Sequence, residues 1–354
     1  MELPKLTDFD CRGRRVLVRC DLDVPLRQAQ GELFVEDDSR IRECLPSIKY
    51  LLDHAAKVIL MGHSGRPEGQ VVEELKLAPM AEKIKQLFNS RSSPLSIKWR
   101  KGFNFQLDGF SAYQISENLV LLENLRFYPG EESNDPQFAQ ALAVLGEFYV
   151  NEAFAASHRE HASIVGVPKL LPHAAGFHFA SEAEHLSKVL ENPKRPLVLL
   201  VGGAKPETKL PLALEFAQKT DWVLIGGALA QRAKYQEQSD LKAKNILFAN
   251  LTEDGFDIDG ESIKKFSDII KEAGTIIWNG PMGKYEEERW GAGTKRIAAE
   301  IVGCSGFKVV GGGDTIAALT KFNLIDKMDY VSTAGGAMLE YLSKGTLPGL
   351  EALK

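Results

Sequence analysis

Residues Phe307–Thr315 read FKVVGGGDT and run on into IAALT. The apolar pair Val309-Val310 predicts a buried strand, and the three glycines after it let the chain turn where a side chain would not fit. Asp314 and Thr315 then open a helix. A glycine turn from the carboxyl end of a strand into a helix N-terminus presents unpaired backbone N–H groups, with the positive end of the helix dipole behind them. Phosphate suits such a turn, although many strand–helix connections carry glycines for packing alone.

The same alternation runs through the chain. Short β-branched or leucine-rich runs stand at Val16–Arg19, Val58–Met61, Leu119–Leu122 and Phe148–Val150. In the second half they stand at Leu197–Val201, Trp222–Ile225, Ile246–Phe248, Thr275–Trp278, Phe307–Val310 and Tyr330–Val331. Strands separated by helical patterns predict parallel sheets covered by helices. Ser181–Leu190, which ends before Asn192-Pro193, predicts a connector helix. The expected fold is therefore α/β, with two doubly wound, Rossmann-like domains over 1–175 and 176–337, the second including the connector at 181–190.

A chain of 354 residues, 44% hydrophobic and 26% charged, has material for two domains, since one core rarely grows past roughly 250–300 residues. The net charge of -5 argues against a nucleic-acid or membrane-surface role carried by bulk charge. MELPKLTDFD at the start holds no apolar run, and no segment approaches the ~18 apolar residues of a membrane span, so a cytoplasmic protein is expected. Cys11, Cys20, Cys44 and Cys304 have neither metal-ligand spacing nor the density of a disulfide framework, and read as ordinary thiols.

The two halves carry different chemistry. Ten of the 31 glycines precede residue 170, and the later ones cluster after strands, at Gly202-Gly203, Gly226-Gly227, Gly280, Gly283, Gly311–Gly313 and Gly335-Gly336. In the first half the strand ends lead instead into Arg19–Asp23, Gly62–Pro67, Glu123–Arg126 and Ala156–Arg159. Ligands of open α/β sheets sit outside the carboxyl ends of the strands. The first domain thus reads as a site for a small, strongly anionic molecule, and the second as a site for phosphates held by backbone amides.

Arg40, Arg66, Arg126 and Arg159, with His63, offer guanidinium forks that match carboxylate and phosphate oxygens two at a time. Any one of them could equally be a solvated charge. Asp21 and Asp23 could hold those arginines or accept from a substrate hydroxyl, or could form the turn before Pro25. Lys205 and Lys209, four apart after Gly202-Gly203, could both reach a polyphosphate, although the Walker A spacing is missing. Glu286, after WNGPMGKY, could bind ribose hydroxyls or belong to a charged surface run. No GxGxxG with a following acidic residue stands in the right context, which disfavours a nicotinamide dehydrogenase. No nucleophile triad or metal-histidine pattern is supported by the chain order.

Taken together, VLVRCDLDVP, SRI, MGHSGRPEG, LLENLRFYPGEE, AFAASHREHAS, VGGAKPETK, IIWNGPMGKYE, VVGGGDT and VSTAGGAMLEYL resemble the phosphoglycerate kinase family from end to end. The resemblance implies reversible phosphoryl transfer between 1,3-bisphosphoglycerate and ADP, in glycolysis and gluconeogenesis, by a monomer whose domains close about a hinge. It implies Mg²⁺ with ATP or ADP, and no nucleic-acid or membrane partner. The phosphoglycerate site would be Asp21, Asp23, Arg40, His63, Arg66, Arg126 and Arg159. The nucleotide site would be Gly203, Lys205, Lys209, Glu286, Gly312, Gly313, Asp314 and Thr315, with Asp314 on the metal. Arg40, Lys205 and Lys209 would act on the transferring phosphoryl and the nucleotide phosphates. The C-terminal segment, 338–354, would return to the first domain.

Some positions depart from the family pattern. Asp23 stands where asparagine is usual, Glu152 and Ala155 replace an aspartate and a glycine before His158, and Ala334 replaces a glycine near the expected hinge. The segment from Gly227 to Asp257 is short, lacking helical material before Ile246 and much of the loop after Phe248, near where adenine is expected. The competing expectation is a nucleotide- and anion-binding regulatory relative with reduced or lost turnover.

Overall fold

The computed structural model describes residues 3–29, 31–89, 104–233 and 244–354. Contacts divide these into two compact units, one reaching to Ala183 and including Leu347–Lys354, the other Glu184–Thr346.

In the first unit, β1 (Arg15–Arg19) leads to a hairpin of β2 (Leu26–Ala29) and β3 (Glu32–Val35), then α1 (Ser39–Asp53) and β4 (Lys57–Met61). There follow α2 (Ala78–Asn89), β5 (Asn104–Leu107), β6 (Phe110–Ser116), β7 (Leu119–Leu122), α3 (Pro129–Glu132), α4 (Pro136–Val144), β8 (Phe148–Asn151) and β9 (His173–Ala175). The main sheet runs β5-β6-β7-β4-β1-β8-β9. β7, β4, β1, β8 and β9 are parallel, while β6 is antiparallel to both its neighbours. Nearly every residue of β1, β4 and β8 is buried, as a strand covered on both faces requires. Val16, Val18, Val58 and Leu60 pack with Ile41 and Ile48 of α1 and with Met80 and Ile84 of α2. From β1 the chain adds β4 and β7 on one side, then β8 and β9 on the other. The reversal places a crevice at the carboxyl ends of β1 and β8.

α5 (Phe177–Glu191) belongs to the first unit through Ala183 and to the second from Glu184. It begins four residues before the expected Ser181, because its cap comes through space: the buried Glu152 carboxylate accepts the Phe179 N–H at 3.0 Å, and Ser47 Oγ accepts that of Phe177 at 2.9 Å. Local sequence signals for a helix start do not contain such a cap.

The second unit continues with β10 (Leu197–Val201), α6 (Pro206–Phe216), β11 (Trp222–Ile225), α7 (Gly227–Ala233), β12 (Ile246–Phe248), α8 (Gly260–Lys271), β13 (Thr275–Asn279), α9 (Ala292–Gly303), β14 (Phe307–Gly311), α10 (Gly313–Lys321), β15 (Tyr330–Ser332) and α11 (Gly336–Lys344). Its sheet runs β12-β11-β10-β13-β14-β15, parallel throughout. This is the doubly wound 3-2-1-4-5-6 order, whose reversal lies between β10 and β13. All five residues of each of those two strands are buried.

The contact boundaries fall at 183/184 and 346/347, against the sequence expectation of 175/176 and 337/338. α11 accounts for the second difference. It packs in the second unit, where Tyr341 Oη lies 2.7 Å from Ser187 Oγ, and only Leu347–Lys354, with α12 (Pro348–Glu351), joins the first. There the Gly349 N–H donates to Ser157 O at 2.9 Å. Within the short 227–257 segment, α7 and β12 are described, and the part of that expectation falling on 234–243 lies outside the described residues.

Candidate active site

At the first crevice, Arg19 ends β1 and Asp21 and Asp23 follow it. Arg40, the second residue of α1, pairs its NH1 with Asp21 Oδ2 at 3.0 Å and donates to Asp23 O at 3.1 Å. Burial pushes the Asp21 carboxyl up, Arg40 pulls it down, and Asp23 pushes it up again. Asp23 keeps its own carboxylate for the next loop, accepting the Gly65 N–H at 2.9 Å.

That loop follows β4 and is held from two sides. Asp23 takes the N–H of Gly65, and Arg126 NH1 donates to its carbonyl at 2.6 Å. Gly65 sits at φ +62°, a conformation glycine adopts without strain. Arg66 extends from this clamped residue and is exposed. Asn124 Nδ2 donates to Ser64 O at 2.8 Å, tying the loop to the segment that carries Arg126.

Behind these groups lies a buried polar layer. His63 is buried, and its Nδ1 lies 2.9 Å from Arg19 NH2. Burial holds His63 well below the ordinary histidine range, reinforced by Arg19, Arg126, His161 and Arg159. His161 is pulled down to about 3 by burial and then by Arg126, Arg19, Arg159 and His158. The shared causes place Arg19, His63, Arg126, Arg159 and His161 in one positively charged patch. Both imidazoles are uncharged at neutral pH.

In the second unit the glycine turns after adjacent strands interlock. The Gly202 N–H donates to Asn279 O at 3.0 Å, and that of Gly203 to Pro281 O at 2.9 Å. Gly280, at φ +104°, lies so close that a Cβ there would overlap the Gly202 carbonyl and stand 2.8 Å from Lys209 Nζ. Only glycine permits this approach. Lys209, in the first turn of α6, donates to Gly202 O at 3.0 Å. Burial brings its pKa down to about 8, opposed by the nearby Asp314 and reinforced by Lys205, which is itself exposed.

The opening FKVVGGGDT stretch forms β14, its turn and the start of α10. Gly312 caps α10 at φ +92°, and its carbonyl accepts the N–H groups of Thr315 and Ile316. The amides of Gly313 and Asp314 precede that first helical bond and are left unpaired by the helix. Thr315 is fully buried, and its Oγ1 accepts the Gly280 N–H at 2.6 Å, joining this turn to the one after β13. Its hydroxyl oxygen thus ties two turns together. Lys321 at the end of α10 donates to the carbonyls of Tyr285 and Glu286, each at 3.0 Å, which fixes the backbone of Glu286, an exposed residue. Tyr285 is raised by burial and by the charges of Glu286 and Asp314, so these carboxylates face one neighbourhood.

The sequence named Arg19 only as part of the polar stretch at the end of a strand, and Glu131, Asn279 and Lys321 did not stand out as site residues. Asn279 is buried beside Gly312 and gives Nδ2 to Gly335 O, while its Oδ1 has no hydrogen-bond partner among the described residues. Also among the described residues, no group of three or more His, Cys, Asp or Glu could hold a metal ion.

A sequence model of the phosphoglycerate kinase family matches residues 6–253 and 231–345, two stretches that overlap inside the short segment. The phosphoglycerate kinase of Moorella thermoacetica is 38% identical over 393 residues, covering 98% of each chain. That of Borrelia garinii subsp. bavariensis is 36% identical over 400 residues, covering all of both. These alignments outrun the 354-residue chain, so the relatives carry residues that it lacks. The solved phosphoglycerate kinase of Coxiella burnetii superposes with a TM-score of 0.78 at 31% identity, covering 99% of each chain. That of Pyrococcus horikoshii OT3 gives 0.79 at 26%, covering 99% of this chain and 98% of its own. Nothing among these matches favours a relative that binds without turnover. With a doubly wound sheet in each unit and full-length matches in sequence and in structure, the chain belongs to the phosphoglycerate kinase family.

Proposed function

We propose that this phosphotransferase, which moves a phosphoryl group reversibly between 1,3-bisphosphoglycerate and ADP, divides the work between its two units. The first binds phosphoglycerate through Arg40, His63, Arg66, Arg126 and Arg159, with Asp21 and Asp23 orienting that set. The second binds the nucleotide through Gly203, Lys205, Lys209, Glu286 and the Gly312–Thr315 turn. The observation that supports this reading is the segregation of donors at the two sheet reversals: guanidiniums and neutral imidazoles at one, lysines and glycine amides at the other.

Phosphoryl transfer asks a protein for positioning and for positive charge around the equatorial oxygens, with no covalent nucleophile. Arg40 suits that task. Among the described residues both of its contacts use NH1, leaving the Nε–NH2 edge of the fork for ligand oxygens. Lys209 lies inside the glycine turns, where Nζ can follow a phosphate without displacing backbone. Water must be excluded while the phosphoryl is between donor and acceptor.

Asp314, in the first turn of α10, fits a magnesium ion. With no protein cage of three ligands among the described residues, one carboxylate together with nucleotide phosphates would hold it, as is usual for Mg²⁺. When bound, the ion would supply positive charge against the nucleotide phosphates. A monomeric, cytoplasmic enzyme belongs to the same reading. Among the described residues no helix is long and apolar enough to cross a membrane.

A coupled assay with 3-phosphoglycerate and ATP tests this function. Turnover should appear with Mg²⁺ and vanish with excess chelator. ATP binding without turnover above background would overturn it.

A further inference from the structure

Arg19 is the largest charged side chain in the interior of the first unit, with 0% of it exposed. Without water, each of its bonds must be made by protein. Nε donates to Ser163 Oγ at 2.8 Å, NH1 to Cys20 O at 2.5 Å, and NH2 to His63 Nδ1 at 2.9 Å. A guanidinium has donors only. His63 Nδ1 must therefore be the acceptor, and the neutral ring carries its proton on Nε2.

The charge on Arg19 is itself provided for. Glu131, fully buried, lies 4.0 Å from Arg19 NH2 and accepts from Ser163 twice, the N–H at 2.9 Å and Oγ at 2.5 Å. Ser163 thus passes a hydrogen bond from the guanidinium to the carboxylate. Tyr149 Oη donates to Ser163 O at 2.7 Å, which holds the relay in place.

We propose that Arg19 is a positioning residue for the reaction: from inside the fold it locks His63 as the Nε2–H tautomer, so that the imidazole meets the phosphoglycerate anion as an uncharged hydrogen-bond donor. This rests on His63 being a substrate-side group. Arg19 itself, wholly enclosed, does not touch the substrate. Burial first, and then the charges of Arg19, Arg126, His161 and Arg159, disfavour the imidazolium, so the imidazole is uncharged across the physiological range, in agreement with the hydrogen-bond geometry. A neutral donor adds direction to a patch already rich in guanidinium charge. Which nitrogen bears the proton is decided by the bond the other one makes.

The test uses full-length protein labelled with ¹⁵N at histidine, the His63 signals being assigned from a His63→Gln variant. Wild type should show Nδ1 unprotonated and Nε2 protonated, unchanged from about pH 5.5 to about pH 8, with both signals moving when 3-phosphoglycerate is added. Arg19→Met alone would strand the Glu131 carboxylate, so it is paired with Glu131→Gln. In that double variant His63 should populate both tautomers and titrate at a higher pH. KM for 3-phosphoglycerate should rise about tenfold, the worth of one hydrogen bond, while kcat changes by less than about threefold. Arg19→Lys, which keeps a cationic donor, should restore the single tautomer and most of the KM.

A protonated Nδ1 in wild type, or a wild-type pattern in the double variant, would overturn the proposal. So would a changed tautomer with an unchanged KM. If 3-phosphoglycerate fails to move the His63 signals of wild type, the substrate-side assignment of His63 falls instead, whatever its tautomer.

Discussion

Lys209 should give the enzyme an alkaline limb. Its Nζ is enclosed by the Gly202 and Gly280 turns, donates to Gly202 O at 3.0 Å, and is brought by burial to a pKa of about 8 against an ordinary 10.5. The ammonium fraction then falls from about nine tenths at pH 7 to about one tenth at pH 9. Because kcat/KM reports the free enzyme, its value for ADP should drop about tenfold across that interval. In kcat at saturating ADP the limb should move to higher pH, since bound phosphate stabilises the ammonium. The Lys209 contribution to stability runs the other way. Between about pH 8 and 10.5 the unfolded chain keeps a proton that the folded one has lost, so this contribution rises with pH and the loss of rate is not unfolding. Lys209→Arg stays charged throughout and should abolish the limb, at a lower rate. Steady-state rates from pH 6.5 to 9.5, with melting curves at the same pH values, make the comparison. A kcat/KM for ADP that stays flat to pH 9.5, or the same limb in Lys209→Arg, would refute the reasoning.

Arg40→Ala should lower kcat by about 10²–10³-fold with a much smaller rise in either KM, since the charge acts on the transferring phosphoryl; equal losses in binary binding and in kcat would contradict this. Asp23→Asn keeps an acceptor for the Gly65 N–H and removes an exposed charge beside a polyanion, so calorimetry should find 3-phosphoglycerate bound a few-fold more tightly, and unchanged or weaker binding would count against it. Glu152 is raised to about 7 by burial despite its bonds to Ser47 and the α5 amides. The folded chain then holds its proton from about pH 4.5 to about 7 while the unfolded chain has lost it, so this contribution to stability falls as pH rises through that window. Glu152→Gln should remove the fall and be neutral or stabilising at pH 8. A melting temperature with the same pH slope in both proteins would show another group responsible.

The strands that build both reversals were legible because burial on two faces forces continuous apolar runs, as in Leu197–Val201 and Val58–Met61. The additions were less so. β5 and β6 join across Asp108-Gly109, both at positive φ, and an Asp-Gly pair is a hairpin signal that could have been used. β9, three residues long, carries no periodicity to read. In the site, the glycine turns announced themselves, because close backbone approach leaves no other residue type possible. Arg19 did not. Its importance comes from partners 44 and 144 residues away, His63 and Ser163, and an arginine closing a strand looks the same in sequence whether it meets solvent or a buried imidazole. Lys321 was hidden for the same reason, since its two acceptors are backbone carbonyls of a distant loop.

The separation of the two ligands between the two units is tested most directly by calorimetric titration of Arg66→Ala and Asp314→Ala with each ligand alone. Arg66→Ala should weaken 3-phosphoglycerate binding by about tenfold or more and leave magnesium–ADP binding nearly unchanged; Asp314→Ala should do the reverse. If each substitution cost both ligands equally, the assignment of one substrate to each unit would be contradicted.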